Sequence, residues 1–164
     1  MSAAARSAAE GGAGDGFRLE DYFAGRTRAW GIFRDRFGRL RRRFTVDIDG
    51  AWDGETLTLV EDFAYDDGAT ERRVWQIRRG TTDDYEGRAD GVVGTAHGGY
   101  HDGALNWRYR FALKVGGSAW TVRFDDWLFP QADGIVINRA DVSKFGFRLG
   151  EVTLVFRKGA PTAH

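Results

Sequence analysis

A chain of 164 residues and 18.3 kDa is the size of one domain. Its 24 basic and 24 acidic residues cancel, which argues against a nucleic-acid binder, and its lack of cysteine excludes disulfides, thiolate metal sites, a cysteine nucleophile and an acylated lipoprotein cysteine. With 42% hydrophobic and 29% charged residues it has the composition of a soluble globular protein, and no apolar run reaches the roughly 18 residues of a spanning helix.

Residues 1–16, MSAAARSAAEGGAGDG, hold six alanines and four glycines and no aromatic side chain. Such a stretch buries too little apolar surface to offset the entropy of ordering it, so a flexible tail is expected. It lacks the apolar core of a secretory signal. As written, the chain is expected to be cytoplasmic, unless an export segment has been replaced. Residues 159–164 are expected to form a second loose tail, which leaves 17–158 as the folded domain. At its start, FRLEDYFAG (17–25) places Leu19, Tyr22 and Phe23 at helical spacing before Gly25, predicting a short helix or strap.

Beyond this point the hydrophobic period is two. Phe44, Val46 and Ile48 alternate with polar residues, as do Trp107, Tyr109 and Phe111; Trp120, Val122 and Phe124; and Val152, Leu154 and Phe156. Alternation places one set on a dry face and the other in water, the mark of half-buried strands. Asp-Gly pairs at 49–50, 53–54, 67–68, 90–91, 102–103 and 133–134 supply turn signals between such runs. The predicted strands are 29–37, 40–52, 55–65, 70–79, 83–89, 92–98, 104–114, 118–129, 135–143 and 151–158. A meander of this length removes its edges by closing, so the expected fold is all-β: a single antiparallel up-and-down barrel of about eight to ten strands. The large inward set Trp107, Tyr109, Phe111, Trp120 and Phe124 either fills this barrel or lines a pocket for one small ligand.

Four stretches carry a family resemblance: AWGIFRDRFGRLRRRFTVDIDGAWDG (29–54), LTLVEDFAYDDG (57–68), NWRYRFAL (106–113) and FDDWLF with NRADVSKFGFRLGEVTLVFRK (within 124–158). The most specific parts are DRFG at 35–38 and NRA-x-x-SKFG at 138–146. The chain resembles DUF3833, a bacterial family of uncharacterised domains, many of which begin with a lipoprotein signal and an acylated cysteine. This chain departs from that pattern, so envelope anchoring is not expected of it. The resemblance implies a lipocalin-like barrel of the calycin kind. It also implies a role in modifying or handling unusual fatty acids.

Several constellations bear on chemistry. His97 and His101 have the spacing of a helical zinc site. On a strand, however, that spacing separates the side chains by about 13 Å, and the surrounding glycines disfavour a helix; no metal is expected, and a haem ligand would have to be one of the same histidines. Ser143 beside Lys144 is the only serine in a motif-like setting, but neighbours on a strand point to opposite faces and there is no nucleophile elbow. Asp126 shares the phase of Val122 and Phe124 and is expected inside. Period two puts Ile135, Ile137, Arg139 and Asp141 on one face, which places Arg139 against Asp126 or Asp141 near one barrel mouth. That contact is either a structural ion pair or a seat for an anionic head group, with Lys144 assisting. Glu61 either points inward with a raised pKa or is turned outward by a bulge. The arginines at 34, 36, 39, 41, 42 and 43 either pair with the acidic strand beside them or contact anionic lipid or an acidic partner.

The expected function is binding of a hydrophobic, fatty-acyl ligand by a monomer without cofactor or nucleic acid. Its tail would lie among Trp107, Tyr109, Phe111, Trp120 and Phe124, with its polar end on Arg139, Asn138, Lys144 or Asp126. The alternatives are an enzyme or accessory subunit acting on modified fatty acids, and a filled barrel serving as an interaction protein.

Overall fold

The computed structural model describes residues 16–159. The tails expected at 1–16 and 159–164 therefore lie outside the described residues, apart from Gly16 and Gly159. One short helix, α1 (Leu19–Phe23), precedes ten strands: β1 (Gly25–Asp35), β2 (Leu40–Trp52), β3 (Thr56–Tyr65), β4 (Thr70–Arg79), β5 (Asp84–Ala89), β6 (Val92–His101), β7 (Ala104–Val115), β8 (Ser118–Pro130), β9 (Ile135–Lys144) and β10 (Phe147–Lys158). Each strand pairs antiparallel with its chain neighbours, and β1 pairs with β10 as well as β2, so the meander closes into a ten-stranded barrel.

The boundaries differ most at the start and the end. The first strand begins at Gly25 rather than at 29, directly after α1. The last begins at Phe147 rather than at 151, joined to β9 by a tight turn at Phe145-Gly146. Both turn residues have positive φ, 52° and 80°. An aromatic in that conformation is uncommon, so no ordinary turn signal marks the hairpin. Asp49-Gly50, by contrast, lies within β2. Gly50 is needed there because the Phe23 carbonyl sits where its Cβ would be.

The two ends of the barrel are built differently. At one end α1 folds across the opening. Leu19, Tyr22 and Phe23 join Ile48, Leu57, Leu59, Ile77, Leu105, Leu128, Val136 and Phe156 in the main apolar cluster. The helix is held by polar bonds as well. The Lys158 ammonium donates to the carbonyls of Asp21 and Tyr22 at 2.6 Å and of Ala24 at 3.2 Å, satisfying groups that a helix terminus leaves open. Tyr22 donates to the Gly134 carbonyl at 2.6 Å, and Tyr85 donates to Glu20 at 2.7 Å. At the opposite end, turns β1–β2, β3–β4, β5–β6, β7–β8 and β9–β10 surround a mouth that no element covers among the described residues. The inward residues toward it, including Phe44, Glu61, Phe63, Tyr109, Phe124 and Val152, stay half-buried.

Candidate functional site

The interior phase of each strand follows from its register. On β7 the inward set is Leu105, Trp107, Tyr109 and Phe111, facing Leu128, Asp126, Phe124 and Val122 of β8. Trp107 has room because β6 and β5 present glycines to it: a Cβ on Gly98 or Gly87 would lie 2.5 Å or 2.7 Å from its ring. Trp75 packs edge-on against Trp107 and Tyr109, with centroids at 5.6 Å and 5.2 Å, and Tyr109 stacks on Phe124 at 5.0 Å. The result is an aromatic wall with a polar cluster set into it.

The cluster comes from four strands. Register carries Glu61 of β3 through without a bulge, opposite Ile48 on β2 and Arg73 on β4, so it points inward. Arg73 is held 3.1 Å from Glu71, and its guanidinium lies 4.5 Å from the centroid of Phe111 and 5.0 Å from that of Phe63. Asp126 on β8 is buried opposite Trp107 and Ala140. Asn138 on β9 is buried one pleat away, opposite Leu128. The segment bearing Asp126 is pinned from outside: Asn106 donates to Asp125 at 2.7 Å and to the Asp126 carbonyl at 3.0 Å.

Electrostatics make this cluster unusual. Burial pushes Asp126 up to about 8; the charges of Asp125 and Glu61 add to the rise, while Asn138 and Arg73 oppose it. Burial likewise pushes Glu61 up to about 7, against the pull of Arg73 and Trp75. Tyr109 is raised too, by burial and by the neighbouring Asp126. The barrel thus holds two carboxyls that exchange protons near neutrality. Among the described residues, three buried side-chain atoms have no hydrogen-bond partner: Asp126 Oδ1 and Asn138 Oδ1 in this cluster, and Thr27 Oγ1 on β1. Such atoms are rare and costly to leave unmatched.

The sequence-selected residues divide into three groups. Trp107, Tyr109, Phe111, Phe124, Asp126 and Asn138 face the interior. Trp120 and Lys144 sit at the open rim: Trp120 is exposed, and Lys144 donates to the Thr121 carbonyl at 3.1 Å instead of reaching Asp126. Arg139 faces solvent, its side chain 60% exposed and paired with Glu151, so its expected contact with Asp126 is not formed. The phase of β9 explains this difference. Val136, Asn138, Ala140 and Val142 are its inner set, while Ile135 and Ile137 make its outer face apolar as well, so alternation alone does not reveal which face is in. Arg73 and Asn106 were not singled out from sequence. Arg73 was readable as the period-two neighbour of Trp75 and Ile77; Asn106 acts from the outer face and gives no such signal. His97 lies outside near Glu86, at 3.9 Å, His101 packs on Trp127, and no metal-ligand cluster occurs among the described residues.

This is a lipocalin-like β-barrel, closed at one end by a helix and open at the other, with a polar cluster buried among aromatic side chains. The chain belongs to the DUF3833 family, described as a protein of unknown function, whose profile matches residues 3–158. Among solved structures it is similar to the S-type phycobiliprotein lyase CPES from Guillardia theta, with a TM-score of 0.63 and 8% identity over 88% of this chain and 92% of that one. At that identity the likeness shows the fold alone. No curated protein matches the chain. No helix of the described residues is long and apolar enough to cross a membrane.

Proposed function

We propose that the barrel binds a hydrophobic small molecule, its acyl-like tail lying along Tyr109, Phe111, Phe124 and Phe63 and its polar end at Asp126 and Asn138. The observation that carries this reading is the pair of buried, partnerless acceptors beside a half-buried aromatic wall. A ligand hydroxyl or N–H group supplies the missing donor. The charges inside the barrel also select the head group. Arg73 is already held by Glu71, and Glu61 and Asp126 repel an anion when ionised. Above about pH 8, where both carboxyls are ionised, a neutral donor end therefore fits better than a fatty carboxylate. The structural neighbour, a phycobiliprotein lyase, supports the use of such a barrel in small-molecule work.

A second reading rests on the same carboxyls. Groups poised near 7 and 8 suit a general acid and base, so the second reading is an enzyme acting on the bound molecule.

The test uses a fluorescent polyene fatty acid and the matching polyene alcohol, titrated into the full chain at pH 9, where both Asp126 and Glu61 are ionised. Energy transfer from the interior Trp75 and Trp107 reports entry into the barrel. The alcohol is expected to bind more tightly than the acid, and Asp126→Leu is expected to weaken the alcohol by about tenfold. Absence of transfer from both probes, or tighter binding of the carboxylate, overturns the proposal.

A further inference from the structure

The net charge of zero conceals an unequal distribution around the open rim. At the helix end Asp53, Glu55, Asp83, Asp102 and Asp133 are accompanied by Arg18, Arg26, Arg79 and Lys158, while the open-end turns β3–β4 and β5–β6 carry Asp66, Asp67 and Asp90. At the open end, the turns β7–β8, β9–β10 and β1–β2 are consecutive around the rim. They and the strand ends beside them bear Lys114, Lys144, Arg148, Arg34, Arg36, Arg39 and Arg41. Among the described residues, Lys114, Lys144, Arg36 and Arg39 have no ion-pair partner.

The same arc exposes large apolar side chains. Phe145, Phe147 and Phe37 are 86%, 73% and 71% exposed, more than any other large hydrophobic residue described, and Trp120 stands beside them. Phe145 holds its place at a turn tip with φ of 52°, where asparagine or glycine would be less strained. The cations lie over the rings: the Arg36 guanidinium is 4.7 Å from the Phe37 centroid, and the Lys144 ammonium is 4.6 Å from that of Phe145. Aromatic tips backed by cations match a bilayer interface, where rings enter the headgroup layer and basic groups meet anionic lipid.

A groove of about 540 Å³ runs from this arc onto the outer wall, lined by Arg110, Arg123, Ser143, Lys144 and Phe145 among others. Arg110 and Arg123 are direct cross-strand partners. Like charges so placed repel, and neither has an ion-pair partner among the described residues. An anion between them relieves that repulsion.

We infer that the open rim docks on an anionic lipid bilayer, with Phe145, Phe147 and Phe37 inserted and a lipid phosphate held between Arg110 and Arg123. Rim charge and exposure carry this inference independently of any ligand in the barrel. Docking tilts the basic arc of the mouth onto the bilayer and holds Asp66, Asp67 and Asp90 on the opposite arc away from it.

The experiment is flotation of the full chain with vesicles of phosphatidylcholine alone or with roughly 30% phosphatidylglycerol, an anionic surface of the kind basic segments recognise. Binding to the anionic vesicles is expected, falling with added salt. The F145N/F147S variant keeps a residue suited to the turn at 145 and is expected to lose about tenfold or more in partitioning, and R110Q/R123Q a similar factor. Circular dichroism melts check that both variants remain folded. Failure to bind, equal binding to both vesicle types, or unchanged binding by both folded variants overturns the inference.

Discussion

Replacing Asp126 by asparagine keeps the shape of the side chain and removes its titration. An ordinary aspartate titrates near 3.8, and burial in the barrel pushes this one up to about 8. At about 1.36 kcal/mol per pKa unit, the shift corresponds to about 6 kcal/mol between folded and unfolded chains. Because the folded-state pKa is raised, the folded barrel holds the proton more tightly than the unfolded chain does. The contribution is fully present below about pH 4 and is lost as pH rises toward 8. Water entering through the open mouth reduces the swing to about 2–4 kcal/mol. D126N is therefore expected to gain about that much stability relative to the parent between pH 4 and pH 8.5. Urea unfolding of both proteins at the two pH values measures the difference. A stability difference that does not change with pH refutes the reasoning, because it means that Asp126 ionises in the folded barrel as it does in water.

Other outcomes follow from the same structure. Glu61→Gln is expected to act in the same direction with a smaller amplitude, since Glu61 rises only from 4.5 to about 7; the same urea series reads it. Gly98→Ala drives a methyl into the Trp107 ring and is expected to cost about 1–3 kcal/mol in unfolding free energy. Lys158→Met frees the carbonyls at the end of α1, and hydrogen exchange is expected to show faster opening of the helix, with a loss of about 1–3 kcal/mol. Arg139→Ala breaks only an exposed pair with Glu151; less than about 1 kcal/mol is expected, with no change in probe binding.

Hairpin periodicity made the barrel legible because inside and outside alternate cleanly on most strands. Trp107, Tyr109 and Phe111 on β7 and Phe124 and Asp126 on β8 could be placed from that pattern. It failed on β9, where apolar residues occupy both faces, and Arg139 was assigned inward when Asn138 is the inner residue. The last two strands are legible, but the tight turn between them is not, and β10 starts at Phe147 rather than 151, because Phe145 occupies a left-handed position that glycine or asparagine usually fills. For Glu61 the sequence allows either an inward acid or a bulge that turns it out, and only register shows that β3 runs straight there. The polar cluster as a whole was not legible, because its members lie on four strands and meet only when the barrel closes.

The central claim is that the interior receives a molecule whose donor end meets Asp126 and Asn138. Native mass spectrometry of the full chain purified from its own host, followed by extraction and identification of what is released, tests it most directly. The Val152→Trp variant fills the interior beside Ala140, across from Asp126, and serves as the comparison. The account predicts an adduct with an apolar body and a neutral hydroxyl or N–H end, present in the parent and absent from the folded variant. The bare chain mass in both proteins, or an adduct that V152W retains, contradicts it.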